Sequence, residues 1–217
     1  MKGPESTLLV RSFPVGMLQC NCTVLADLVG RRALVVDPGD EPDRVLAVLQ
    51  EMDLRCDAIL LTHTHIDHVG GVSELKGKTG ARLMMHEADL PLYDALRVQA
   101  SWLGGLMPVP VREAVDEHVH QGDRIRAGSL AAGVLHTPGH TPGSLCFHLE
   151  DHALVLSGDT LFAGGIGRTD LPGGDYEQEL ESIREHLLAL PDATRVIPGH
   201  GPETTIGLER RRNPFLT

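Results

Sequence analysis

The chain has 217 residues, 41% of them hydrophobic but only 3% aromatic, so aliphatic side chains must fill the core of what reads as one α/β domain over residues 1–217. A formal charge of −11 argues against a nucleic-acid or anionic-membrane surface, yet leaves an anionic substrate open, because bound metal ions can dominate a local field. No apolar run approaches the ~20 residues of a membrane helix, and Met1-Lys2-Gly3-Pro4-Glu5 lacks the apolar core of a signal peptide, so a cytoplasmic protein is expected.

In chain order, residues 7–13 and 23–28 are rich in aliphatic and β-branched residues and predict strands. Val29-Gly30-Arg31-Arg32 predicts a turn, and 33–36 a strand that ends in Asp37-Pro38-Gly39-Asp40. Residues 42–52 place Val45, Leu46, Val48 and Leu49 at helical spacing behind a first-turn proline. The run 58–61 predicts a short buried strand, 72–78 a helix and 82–85 another strand. Residues 87–111 are less regular and predict a helix plus a mobile lid or wall. Strands follow at 130–135, 144–149, 153–156 and 195–197, with an amphipathic helix at 175–190 and a short helix at 204–212. Strand meanders with helices interposed fit two packed sheets flanked by helices. The four cysteines are too scattered for a disulfide scaffold; Cys20 and Cys22 read as a reduced pair in a strand rather than half of a metal site.

Ligand-type side chains stand at four predicted strand ends. Thr62-His63-Thr64-His65-Ile66-Asp67-His68 follows the apolar run 58–61. His63 and His65 are two apart, so an extended segment points both to one side, while Asp67 and His68 come as the chain turns. His140 lies in a Pro/Gly-framed loop, Asp159 in Ser157-Gly158-Asp159-Thr160, and His200 in Pro198-Gly199-His200-Gly201-Pro202. Imidazole and carboxylate suit two divalent ions, zinc first, with iron and manganese also compatible. His63, His65 and His140 make one three-nitrogen set, and Asp67, His68 and His200 a second. Asp159 is placed to bridge, since a carboxylate has two oxygens. A shared water in the open positions would become hydroxide near neutral pH and attack a carbonyl. Asp67 is a candidate acceptor for the proton left on that nucleophile. Asp37 reads equally as a hydrogen-bond acceptor for a metal-binding histidine or as a turn-forming residue before Pro38. His86 and the remaining histidines read as structural or surface groups.

These motif blocks, THTHIDH, the later single histidine, SGDTLF and the PGHGP histidine, resemble the metallo-β-lactamase-fold hydrolases over nearly the whole chain. GDTLFAGGIGRTDLPGGD and the terminal RRNPFLT resemble the short bacterial glyoxalase II-like group, the hydroxyacylglutathione hydrolase-like enzymes. The resemblance implies an αββα four-layer sandwich, a dinuclear site at one edge of the sheets, and hydrolysis of a small-molecule thioester, with S-lactoylglutathione as the reference. It implies the seven ligand roles above at the matched positions. Arg168 falls where such enzymes direct a basic group toward the glutathione moiety; its reading is a carboxylate clamp or a local ion pair with Asp170 or Asp175. The tyrosine often found just after the last histidine in those enzymes is replaced by Gly201-Pro202-Glu203.

Four rival functions share parts of this pattern. A persulfide dioxygenase of the same fold would use His63, His140 and Asp159 as a facial triad on one iron and leave the other ligand-type residues idle. A lactonase keeps the full ligand set, whereas His68 disfavours the β-lactamases that lack it. A non-enzymatic metal-binding protein would close its coordination sphere, and this set leaves room for water.

Overall fold

The computed structural model describes residues 8–217. The predicted strand start at Thr7 and the N-terminal residues 1–5 lie outside them. β1 (Leu8–Val15), β2 (Cys20–Asp27) and β3 (Arg32–Val36) form an antiparallel meander. α1 (Pro42–Glu51) starts on its proline and leads to β4 (Arg55–Leu60), which runs parallel to β3. The short α2 (Ile66–Val69) and α3 (Val72–Thr79) follow β4. β5 (Arg82–Met85) extends the sheet in parallel, and beyond it α4 (Leu90–Asp94) and α5 (Leu96–Trp102) precede the last strand, β6 (Glu117–His118). The first sheet thus has the order β1-β2-β3-β4-β5-β6.

The second sheet begins with β7 (Arg124–Ala127), β8 (Leu130–His136), β9 (Leu145–Leu149) and β10 (Leu154–Gly158), all antiparallel. β11 (Leu161–Phe162) and β12 (Gly165–Ile166) make a separate two-stranded hairpin. After α6 (Tyr176–Ser182), β13 (Arg195–Pro198) joins β10 in parallel and β14 (Thr204–Thr205) pairs with β13. α7 (Ile206–Arg212) starts on Thr205, whose hydroxyl accepts from Leu208 N.

Period-two alternation explains the layers. Leu25, Leu34, Val36, Leu60 and Met84 face Val134, Leu145, Phe147 and Leu156, filling the space between the sheets. The opposite face of the first sheet, with Val35, Ile59 and Leu83, packs under Val45, Leu49, Val72, Leu75 and Tyr93. The outer face of the second sheet, Cys146, Val155 and Val196, packs under Ile183, Leu187 and Ile206. Helix, sheet, sheet and helix therefore stack as the predicted four-layer αββα sandwich.

The predicted helix at 175–190 is corrected. Asp175 caps α6, but Ile183–Leu187 is a π-turn in which Leu188 N donates to Ile183 O at 2.8 Å. The guanidinium of Arg210 arrives from α7 and donates to the carbonyls of Leu188 and Leu190. Acceptors at the helix end are satisfied from outside, which removes the demand for a regular i→i−4 ladder. Arg210 and Arg211 also pair with Asp192, so this basic end is structural. The segment 87–111 resolves into a 3-10 turn at Glu87–Asp89, α4, α5 and an irregular stretch. Four short strands, β6, β7 and the β11–β12 pair, fall outside the predicted set, as does β14. Among the described residues no helix is long and apolar enough to cross a membrane.

Candidate metal centre

Parallel strands and a bulged crossover bring four chain segments to one edge of the sandwich. His63 and His65 follow β4, His140 follows β8, Asp159 follows β10 and His200 follows β13. Backbone bonds stitch the sheets together at this edge: Leu145 N donates to Thr62 O and Asn21 N to Gly199 O, both at 2.7 Å. Gly199 N donates to Gly158 O at the same distance. Two glycines are required by close approach. A Cβ at Gly199 would lie 2.1 Å from Asp159 Oδ1, and one at Gly158, whose φ is +50°, would lie 2.5 Å from Thr62 Oγ1.

All seven sequence-predicted ligands converge. His63, His65 and His140 form one group of ligand atoms, Asp67, His68 and His200 a second, and His63, His68 and Asp159 a third that overlaps both. His140 Nε2 lies 2.9 Å from His65 Nδ1 and 3.3 Å from His63 Nε2. His200 Nε2 lies 3.3 Å from His68 Nε2 and 3.2 Å from Asp67 Oδ2. Asp159 stands between, with Oδ1 3.5 Å from His68 Nε2 and Oδ2 3.7 Å from both His140 Nε2 and His200 Nε2.

These residues fit metal ions. Nitrogens bound tetrahedrally to one zinc would be about 3.3 Å apart. Burial, helped by the neighbouring imidazoles, pushes His63 well below the ordinary range and His65 down to about 3, so both are neutral and direct lone pairs toward the same point as His140. Of the buried side-chain polar atoms without a hydrogen-bond partner among the described residues, three lie in or directly behind this site: His65 Nε2, Asp159 Oδ1 and Glu179 Oε1. Of these, Asp159 Oδ1 faces the ligand groups, and a buried carboxylate oxygen left without a partner there is costly unless a cation shares the volume.

The partners of the outward ring nitrogens set the tautomers. His68 Nδ1 donates to Asp37 Oδ2 at 3.0 Å. His63 Nδ1 donates to Thr62 Oγ1 at 3.1 Å, and that hydroxyl donates to the same Asp37 oxygen at 2.7 Å. Asp37 Oδ1 accepts from Thr62 N at 2.8 Å. One buried carboxylate therefore leaves Nε2 of both His63 and His68 free as ligand atoms, and of the two readings of Asp37 the acceptor role is the one observed. His140 Nδ1 donates to Arg168 O at 2.7 Å, which does the same for His140 Nε2. Burial alone would lower His68 and raise Asp67. At His68 the neighbouring Cys20, with the carboxylates of Asp67, Asp159 and Asp37, outweighs it and raises that imidazole, while His68 and His200 hold Asp67 well below the carboxylate range. His200 is likewise raised against its burial, by Asp67 and Asp159.

A family model for the metallo-beta-lactamase superfamily matches residues 15–200. The chain belongs to the metallo-beta-lactamase superfamily. A hydroxyacylglutathione hydrolase, GloC of Haemophilus influenzae, is 40% identical over 95% of this chain and 97% of its own. An uncharacterised protein of Mycobacterium leprae is 46% identical over 96% of this chain and 99% of its own. Among solved structures, the BLEG-1 B3 metallo-beta-lactamase superposes with a TM-score of 0.89 at 36% identity, covering 96% of this chain and 100% of that one. The di-iron-bound form of TTHA1623 gives 0.83 at 43% identity, covering 94% and 98%. ETHE1 from Myxococcus xanthus gives 0.78 at 30% identity, covering 95% and 83%.

In this member of the metallo-beta-lactamase superfamily a cleft of ≈ 450 Å³ opens over the centre, reached by His65, Asp67, His140, Asp159 and His200. Its wall comes from segment 87–111 through Gln99, Trp102 and Leu103. Arg168 also reaches the cleft, but its Nε and Nη2 both donate to Asp170, at 2.7 and 2.8 Å, so the ion-pair reading of Arg168 is realised. His86 stacks on His136 with centroids 4.1 Å apart and is in none of the three ligand groups. All four cysteines are free and buried, with the Cys20 thiol pushed up to about 12 by burial.

Three supporting residues have no sequence signal comparable to the ligands. Asp89 Oδ2 accepts from Thr64 N and Thr141 Oγ1, both at 3.0 Å, and Oδ1 from Gly143 N at 2.7 Å, so it ties the His63–His65 loop to the His140 loop. Glu179 Oε2 accepts from His140 N at 2.8 Å, and burial pushes its carboxyl up to about 9. Gln99 accepts from Ile66 N at 2.9 Å and braces the start of α2. Asp89 and Glu179 sit beside other acids in helical stretches that read as solvent-facing, and Gln99 is a lone amide among the mostly apolar residues of α5.

Proposed function

We propose that the protein is a thioester hydrolase acting on a small molecule with two divalent metal ions, zinc first, with iron also compatible. The observation that carries this reading is the convergence of His63, His65, His140, Asp67, His68, His200 and Asp159 as two overlapping ligand groups beneath one open cleft. The thioester preference draws on the likeness to the H. influenzae hydroxyacylglutathione hydrolase. Bound metal ions in such a site supply hydroxide from water at neutral pH and polarise the attacked carbonyl. The chain's own residues do the rest. Asp37, Thr62 and the Arg168 carbonyl hold the histidine tautomers. Asp67, ionised between His68 and His200, is the candidate acceptor for the proton left after attack. The departing thiolate has a solution pKa near ~8.5 and needs no obligatory general acid. Trp102 and Leu103 form an apolar side of the cleft in which the substrate would sit.

A one-iron persulfide dioxygenase is the second reading, favoured by the likeness to ETHE1. It gives no task to Asp67, His68 and His200, which lie as close together as the other group. One preparation tests both: metal content, thioester cleavage and persulfide-dependent oxygen uptake are measured side by side. About two metals per chain with thioester cleavage that is lost in His68→Ala supports the hydrolase. One iron per chain with persulfide-dependent oxygen uptake, undiminished in His68→Ala, replaces it with the dioxygenase.

A further inference from the structure

We infer that the cleft selects thioesters whose recognised group is uncharged and apolar, in preference to a charged peptide thiol such as glutathione. This rests on the thioesterase reading above.

Setting the ligand residues aside, the cleft is lined by Leu18, Ile66, Trp102, Leu103 and Leu171, together with Gln99 and Arg168. The two polar members are already committed. Gln99 is buried, with Oε1 taken by Ile66 N and Nε2 donating to Thr64 O at 3.1 Å and Leu92 O at 2.8 Å. Among the described residues Arg168 is the one Lys or Arg in the lining, and Asp170 neutralises it with a bidentate pair on the surface. Glutathione brings two carboxylates and an ammonium that would need partners here. The lining offers five apolar surfaces, among them an indole 44% exposed and Leu18 39% exposed. Desolvating charges against that wall without compensating bonds is unfavourable, whereas an alkyl or aryl group gains by leaving water. A cleft of this volume encloses a group of small-molecule size.

Trp102 is the only tryptophan in the chain, so its emission reports on this cleft directly. The metal-loaded full chain is titrated with thioethers that cannot be hydrolysed: S-methyl- through S-hexyl-N-acetylcysteamine, and S-methylglutathione. Affinity is expected to rise about two- to fourfold for each added methylene, with S-methylglutathione binding no more tightly than S-methyl-N-acetylcysteamine. Asp170→Asn releases Arg168 and should improve S-methylglutathione binding several-fold without changing the alkyl series. The kinetic arm compares kcat/KM for butanoyl- and hexanoyl-N-acetylcysteamine with that for S-lactoylglutathione. Hexanoyl ahead of butanoyl, and both ahead of S-lactoylglutathione, is the expected order. Tenfold tighter binding of S-methylglutathione than of its N-acetylcysteamine counterpart, with S-lactoylglutathione the best substrate, overturns the inference and leaves the thioesterase reading standing. Cleavage of no thioester by protein carrying two metals removes the thioesterase reading itself, and the inference with it.

Discussion

Asp37→Asn isolates what one buried carboxylate does for the metal centre. Asp37 has a φ of +49°, a left-handed conformation that asparagine adopts readily, so the backbone is not strained by the change. The wild-type carboxylate accepts three bonds and donates none: from His68 Nδ1, Thr62 Oγ1 and Thr62 N. Asparagine has one oxygen and one NH₂, and either orientation fails somewhere. With its oxygen toward His68, the NH₂ faces Thr62 N–H, leaving a buried donor unpaired at a cost of about 1–3 kcal/mol. For a chain of this size that lowers Tm by about 2–12 °C. With its oxygen toward Thr62 N, the NH₂ faces His68 Nδ1, which must accept, and the ring proton moves to Nε2. That is the nitrogen that faces His200 and Asp67. Loss of such a partner typically lowers metal affinity about 10- to 100-fold. The assay pairs urea unfolding of the metal-free protein with competitive chelator titration of each metal equivalent. The weaker equivalent should loosen, the protein should lose stability, or the two costs should be shared. An Asp37→Asn variant within about 0.5 kcal/mol of wild type in stability, and unchanged in both metal affinities, would refute the role assigned to Asp37.

Three further outcomes are expected. Because Cys20 and the carboxylates around His68, and Asp67 and Asp159 beside His200, raise both imidazoles, a metal entering their group must displace protons. Its affinity should fall about tenfold per pH unit for each proton displaced as pH drops below those values. Calorimetric titration in buffers of different ionisation enthalpy reads this, and zero proton release would contradict it. Asp27 is held down to about 2 by bonds from Gly30 and Ser129, the latter in the β7–β8 turn of the other sheet. Its folded value lies below its ordinary one, so its contribution is complete above about pH 4 and is lost as pH falls through the folded value. The Tm difference between wild type and Asp27→Asn should shrink over that acid range; a difference constant down to pH ~2 would exclude the linkage. Asp89→Asn cannot accept from both Gly143 N and Thr64 N, and should cost about 1–3 kcal/mol in unfolding free energy, together with weaker binding at the His63–His65–His140 group. Unchanged urea midpoints for this variant would show that the two loops hold their positions without it.

The candidate ligands were legible because each is a side chain of metal-binding type placed where an apolar run stops and glycine or proline turns the chain. His63 after Leu60-Leu61 and His200 after Ile197-Pro198-Gly199 are visible on that ground alone. Their assignment into two groups was also legible, since the offsets within Thr62–His68 (residues 62–68) divide the histidines between two directions. What surrounds them was not. Glu179 stands among Glu177, Glu181 and Glu185, and nothing local distinguishes the acid that turns inward to His140 from those in water. Asp89 sits beside Glu87 in the same way. Both orientations depend on loops far along the chain. β7 alternates Arg124-Ile125-Arg126-Ala127 as a short edge strand should, but four residues are too few to stand out from a polar loop. The π-turn at Ile183–Leu187 is followed by carbonyls whose donor is Arg210, about twenty residues away in sequence, and no helical periodicity anticipates it.

The distribution of ligands along the chain also sets an order of assembly during synthesis. The His63–His65–His140 group has its last member at residue 140, and its closure needs β8 in place beside the first sheet. The Asp67–His68–His200 group is unfinished until residue 200 has emerged and β13 has docked against β10. A nascent chain therefore completes its two candidate ligand groups in sequence, and Asp159 joins between them. Arrest of translation between residues 160 and 195 would leave a polypeptide with the first group's residues all present and the second lacking His200. In the finished protein, the group completed by His200 is correspondingly the one whose geometry depends on the last strands staying docked.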